Sequence, residues 1–330
     1  MKRIKFKKII SIALCLILVC GAFTACSGGS GSDSDKLSIV CTIFPEYDWV
    51  MQVLGDKAEA ADVTLLLDNG VDLHNYQPTV QDIVKVSGCD LFIYVGGESD
   101  AWVADVLSKA KNQDMRVINL MEVLGSLAKE EELVEGMQAE EEEKAEEAEE
   151  GPEYDEHVWL SLKNAQLFIS KIAVELGEAD PENALAYSEN ASSYSDQLSA
   201  LDDDYTTVIE GATYNTVVFG DRFPFRYLTE DYGLNYYAAF IGCSAETEAS
   251  FETISFLAGK VDELSLPAVF AIEGTQHDIA ETIVSNTAEK NQQILVLDSM
   301  QATTSQDVAN GVTYLSIMQK NLDVLAQGIA

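Results

Sequence analysis

The stretch DPENALAYSENASSYSDQLSALDDDYTTVIE, residues 180–210, decides the architecture. Asp180 is a capping residue, Pro181 fits a first helical position, and Glu182 puts an acid in the first turn. No Gly or Pro interrupts the run from Glu182 to Glu210, which predicts one helix of ~30 residues and ~45 Å. A break at Asp202-Asp203-Asp204 would instead give two helices. Read as one, the helix is a rigid strut between two compact lobes, with 36–179 on one side of a linker at 180–212 and 213–330 on the other.

On both sides of the strut, short runs rich in Val, Ile and Phe alternate with segments of helical spacing. That alternation predicts parallel βα units. Strands are expected in the first half at Leu37–Phe44, Val63–Leu67, Asp90–Val95 and Arg116–Leu120, with helices at Trp49–Leu54, Val80–Ser87 and Ala101–Ala110. In the second half the expected strands are Thr216–Phe219, Tyr236–Phe240, Ala268–Ile272 and Ile294–Leu297. Helices at Phe225–Asp231, Phe251–Leu264 and Asp278–Lys290 separate them, and one from about Ser305 to Gln327 closes the chain. The expected class is therefore α/β: two parallel-sheet lobes joined by one long helix.

Residues 1–25 read as a signal peptide, with Lys2, Arg3, Lys5, Lys7 and Lys8 ahead of an apolar core at Ile9–Val19. That core is shorter than the ~20 residues needed to span a bilayer. Phe23-Thr24-Ala25-Cys26 resembles the lipobox of bacterial lipoproteins, which implies a lipidated Cys26 anchored at the outer face of the cell membrane. Phe23 replaces the usual Leu, and Cys20 is the competing position. The Ser, Gly and Asp of 27–35 suit a flexible tether. Five positive charges leave with the signal, so a net charge of −36 becomes −41. Such a surface excludes nucleic acid as a partner. Cys41, Cys89 and Cys243 remain, an odd set that is no disulfide framework. They are expected as buried apolar residues, Cys243 being the one with a functional reading.

Residues 129–156 hold 15 acids against two lysines, densest at 140–150. High charge with few aromatics predicts a mobile surface excursion. It reads either as a solvated loop or as an antenna that attracts cations towards Asp155-Glu156-His157.

The chain has three histidines, His74, His157 and His277. His74 lies in DLHNYQPT (72–79), after an expected strand and before a helix, where α/β folds place ligands. His157 lies in EHVWLSLKNA (156–165), at the opening of a helix. In this order, with a long helix after them, the two stretches resemble the paired signatures of the zinc and manganese solute-binding proteins of ABC importers. The resemblance continues through DPENALAYSENASSY, FRYLTEDYGL and Val296-Leu297-Asp298, and so covers nearly all of 36–330.

The resemblance implies the metal-type periplasmic binding protein fold, with one metal clamped between two lobes and a membrane permease as partner. It makes His74 and His157 the first-lobe ligands and Asp298 a second-lobe carboxylate. Imidazole with carboxylate suits Zn²⁺, and acceptably Mn²⁺, whereas a calcium site would be all oxygen. Asp72 and Asp155 are placed to orient the imidazoles. The family's remaining ligand position falls on Arg222, which has no lone pair for a cation. His277, Asp221 or Glu273, or else water, must then supply it. His277 would give three nitrogens and one carboxylate, favouring zinc, while Asp221 would move the preference towards manganese. The family's His-rich loop is replaced by the glutamate-rich segment, which narrows zinc's advantage.

A zinc hydrolase is the rival from another class, since two histidines and an aspartate with an open position can activate water. No H-E-x-x-H, P-loop or G-x-S-x-G pattern is present. A surface adhesin would fit the lipid anchor and leave both histidine stretches unexplained. The reading is a non-enzymatic metal-capture protein, expected to work as a monomer.

Overall fold

The computed structural model describes residues 36–138, 153–244, 248–274 and 276–330. The expected signal peptide, Cys26, the expected tether and the densest acidic run lie outside the described residues.

The first lobe carries a parallel sheet of β1 (Leu37–Cys41), β2 (Ala61–Leu65), β3 (Leu91–Tyr94) and β4 (Arg116–Asn119) in the order β2-β1-β3-β4. The second repeats the plan with β5 (Thr216–Phe223), β6 (Asn235–Ile241), β7 (Ala268–Ile272) and β8 (Gln293–Leu297), ordered β6-β5-β7-β8. All strand pairs are parallel. Each sheet starts at a central strand and winds outwards both ways, so each has a switch point where loops diverge at the strands' carboxyl ends.

Helices α1 (Phe44–Leu54), α2 (Val80–Gly88), α3 (Trp102–Leu107), α4 (Leu120–Leu124) and α5 (Leu162–Ala179) belong to the first half. The strand expected to reach Phe44 stops at Cys41. The Glu46 carboxylate folds back to accept from the backbone N–H of Thr42 and Ile43, at 2.7 and 3.3 Å, and this turn, with Pro45 in it, starts α1 early. Trp49 of α1 is fully buried, 5.6 Å from the Phe168 ring of α5 and 5.2 Å from the Tyr314 ring. Burial of each such ring contributes on the order of 2–3 kcal/mol.

The strut is α6 (Ala184–Glu210), 27 residues with no break at Asp202–Asp204. It starts later than expected because Asp180 ends α5 and its carboxylate is taken by Asn183 Nδ2 and the Tyr187 hydroxyl, both at 2.7 Å. Tyr187, Ala191, Tyr194, Leu198, Leu201 and Tyr205 recur at three- and four-residue steps and form its buried stripe. Tyr194 donates to Asp48 of α1 at 3.1 Å, and Tyr205 donates to the Met318 carbonyl near the chain's end at 2.7 Å. One helix is thus fastened to both halves.

The second half adds α7 (Arg226–Tyr232), α8 (Phe251–Leu264), α9 (Asp278–Asn286), α10 (Ser305–Ala309) and α11 (Tyr314–Ile329). The single closing helix expected from Ser305 is two. Gly311, at φ +90°, turns the chain in a conformation that side chains resist, and Thr313 caps α11 by accepting from Ser316 N at 3.1 Å.

The acidic segment is anchored at both ends, contrary to a free excursion over 129–156. Glu130 and Tyr154 form an antiparallel bridge, Glu131 N donates to Glu153 O and Asp155 N to Lys129 O, each at 2.8 Å. Backbone pairing there satisfies groups that composition alone assigns to solvent. Gln138 N, in turn, donates to Ala239 O of β6 at 2.9 Å.

Candidate metal centre

His74 sits in a 3₁₀ turn, Leu73–Asn75, whose start is fixed by Asp72 accepting from His74 N at 3.0 Å. His157 precedes another such turn, Val158–Leu160, and Asp155 Oδ1 accepts from its backbone N at 2.8 Å. In both, an aspartate two residues upstream holds the backbone and so fixes where the imidazole starts.

The rings are oriented from behind. Nδ1 of His157 lies 3.0 Å from Asp155 Oδ1. Nδ1 of His74 lies 2.8 Å from Ser99 Oγ and 3.7 Å from Glu156 Oε2. Glu156 is itself held by Ser99 N at 3.1 Å. Carboxylates behind both rings favour the proton on Nδ1 and leave the Nε2 lone pairs free. Those Nε2 atoms face each other across 3.1 Å. Two nitrogens bound to one tetrahedral zinc, each ~2.0–2.1 Å from it, lie roughly 3.3 Å apart. The pair is spaced as two ligands of one ion.

Electrostatics keep both rings unprotonated. Burial pushes the His74 imidazole down to about 3, with the neighbouring His157 adding to the effect. Burial likewise pushes His157 down to about 4. At neutral pH both offer lone pairs without first losing a proton. Burial raises the Asp155 carboxyl to about 7.

From the second lobe, the structure brings Cys243 beside the histidine pair. Among the described residues, the cluster of three side chains able to hold a metal is His74, His157 and Cys243, with one donor atom from each within 4.8 Å of the others. Asp298 and His277 are not in it. Asp298 follows β8 and its Oδ1 accepts from Met300 N at 2.9 Å. His277 precedes α9 with a buried Nδ1 that has no hydrogen-bond partner. Glu273 accepts from Ser299 N, Ser299 Oγ and Gln301 N at 2.6, 2.7 and 3.1 Å, which ties the loop after β8 to the end of β7. Asp221 accepts from the N–H groups of Arg222 and Ile272 at 2.9 and 3.4 Å. Arg222 pairs with Asp72 across the two lobes.

Cys243 was legible only as a cysteine just past a strand. Cys41 and Cys89 are fully buried core residues, as expected, whereas Cys243 is half-buried. Its approach depends on Gly242, where a Cβ would lie 2.9 Å from both Cε1 and Nδ1 of His157 and 3.0 Å from Phe223 O. Only glycine lets the end of β6 rest on the imidazole.

The family described as zinc-uptake complex component A, periplasmic, matches residues 39–328. The high-affinity zinc uptake system protein ZnuA of Bacillus subtilis (strain 168) is 29% identical over 328 residues, covering 98% of each chain. The zinc-binding lipoprotein AdcA of Streptococcus pneumoniae serotype 4 is 30% identical over 318 residues, 96% of this chain and 60% of that one. This chain thus spans about three fifths of the streptococcal relative. Among solved structures, the Zn(II)-bound ZnuA-like domain of Streptococcus pneumoniae AdcA superposes with a TM-score of 0.68 at 26% identity, covering 89% of this chain and 99% of that one. The metal-dependent lipoprotein YcdH of Bacillus subtilis gives 0.70 at 27% identity, with the same coverage. Fold, histidine pair and matched length agree: the chain belongs to the family of periplasmic zinc-uptake component A proteins.

Proposed function

We propose that this protein captures zinc outside the cytoplasmic membrane and passes it to the permease of an ABC importer. The observation that carries the reading is the His74–His157 pair, two neutral imidazoles with Nε2 atoms 3.1 Å apart and acceptors behind each ring. His74 and His157 are the proposed inner ligands. Asp298 and His277, proposed from the sequence, would have to move to join them. Glu273 and Asp221 are already engaged with backbone N–H groups and serve the loops instead. Zinc is the proposed physiological metal, since nitrogen donors favour it over manganese in the Irving–Williams order. The zinc-bound AdcA domain supports that choice.

A lipid on Cys26 is the proposed tether to the membrane, and a single chain the proposed working unit. Metal capture without turnover is the proposed activity. Metal analysis of chelated protein re-equilibrated with equal free zinc and manganese tests this. About one zinc per chain, little manganese, and no hydrolysis of ester or phosphoester substrates is the expected result. Preferential manganese loading would reverse the metal assignment, and metal-dependent turnover would replace capture with catalysis.

A further inference from the structure

We propose that Cys243 supplies the third protein ligand of the metal, a thiolate in the place that Arg222 leaves without a donor. The inference rests on the metal-capture reading above and adds the identity of a ligand to it. Three observations converge. Cys243 lies with His74 and His157 in the three-donor cluster, each donor within 4.8 Å of the others. The strand end that carries it is pressed onto the His157 ring, at a point where only a glycine, Gly242, can stand. Arg222 is turned away from any ligand role by its pairing with Asp72.

The chemistry is self-consistent. On a tetrahedral zinc with Zn–S near 2.3 Å and Zn–N near 2.0–2.1 Å, sulfur and nitrogen lie roughly 3.5 Å apart. From separations of at most 4.8 Å, Sγ then needs to move by little more than ~1 Å, within the reach of a χ1 adjustment. Glu131 is a neighbour of the Cys243 thiol. On binding, the S–H bond breaks, the proton leaves to solvent, and the sulfur lone pair forms the bond to zinc. A bound metal makes that ionisation favourable. Two imidazoles and one thiolate leave a fourth position for water or a carboxylate. The set is softer than two imidazoles and two carboxylates, which turns selectivity towards zinc and away from manganese.

Cobalt(II) titration of the full chain tests the proposal, because a thiolate bound to cobalt adds intense near-ultraviolet charge-transfer absorption that imidazole and carboxylate do not give. The expected result is such a band rising to one equivalent. In Cys243→Ser the band should be lost while the weaker visible bands remain, and zinc affinity should fall by roughly 100-fold or more, beyond the usual cost of an outer-sphere change.

Cobalt that binds without the band, or a band that survives in Cys243→Ser, overturns the ligand and leaves metal capture standing. No cobalt or zinc bound by the wild-type chain at all overturns both. Alkylation mapped by mass spectrometry gives a test on the unmodified chain. Cys243 should label after chelation and be protected by one equivalent of zinc. Labelling that zinc does not slow overturns the ligand without relying on a variant's folding.

Discussion

Arg222 of the second sheet pairs through its guanidinium with Asp72, two residues before His74 in the first lobe. Against the upward push of burial, the Arg222 charge and hydrogen bond hold the Asp72 carboxyl below its ordinary range. A residue that cannot bind a cation thus occupies a position where the family resemblance places a ligand, and it clasps the lobes beside the histidine pair. Arg222→Ala and Asp72→Ala should each destabilise the metal-free protein, with a coupling in the double-mutant cycle of about 1 kcal/mol, since both side chains keep some solvent contact. Additive effects in denaturant unfolding would show that the clasp contributes no stability.

The lobes are joined by more than that pair. Ser305 N donates to Asp68 O and Trp159 Nε1 to Ser299 O, both at 2.9 Å, and Asn69 bridges to Thr304. With α6 fastened at both ends, metal binding should order loops without a wide hinge motion. Small-angle scattering of chelated and zinc-loaded protein should give nearly equal radii of gyration. A large decrease on loading would contradict the strut.

Asp155 fixes the backbone and the Nδ1 of His157, a proposed zinc ligand, and has no place among the proposed ligands itself. Asp155→Ala should therefore weaken zinc binding by roughly 10–100-fold, the range for partners behind a ligand. Near-ultraviolet circular dichroism checks that the fold survives. Unchanged affinity in a folded variant would remove Asp155 from the account.

The sequence carried the α/β alternation, the strut and the two histidine stretches, because these are local patterns. Element periodicity, an uninterrupted helical run and short motifs each occupy no more than about 30 residues, whereas the expected cap at Asp180 instead ends α5. The nearness of Cys243 to the histidine pair is not a local pattern. Cys243 meets His157 only because β6 ends on the imidazole, and nothing near position 243 announces a partner 86 residues earlier. The rule that ligands gather at the carboxyl ends of parallel strands was the one signal that pointed to it. Arg222 was recognisable as unfit to bind a cation, but its pairing with Asp72 spans 150 residues. The ends of the acidic segment depart from expectation because charge predicts solvation, and backbone pairing between 130 and 154 does not show in composition.

Buried groups make the stability of the metal-free protein depend on pH in two opposing ways. Burial, with the nearby Asp100 charge, raises Glu46 to about 8, and burial raises Asp100 to about 7. Their folded pKa values exceed the unfolded ones, so the folded state binds more protons and stability increases as pH falls from about 8.5 towards 6.5. His74 and His157 have the opposite sign. Neutral when folded, they cost stability once unfolded imidazoles protonate below about 6.5. Melting temperature should therefore rise from pH 8.5 to about 6.5, and Glu46→Gln should flatten that rise. A melting temperature that falls steadily over the same interval would refute the assignment.

The most direct test of the central claim is equilibrium dialysis of the chelated chain against buffered zinc, with a His74→Ala/His157→Ala double variant alongside. About one zinc per wild-type chain is expected, with a thermal stabilisation of about 4 kcal/mol when free zinc is 1,000 times the dissociation constant. In the folded double variant both should be lost at the same free zinc. Equal zinc uptake by the double variant would contradict the claim that this histidine pair holds the cargo.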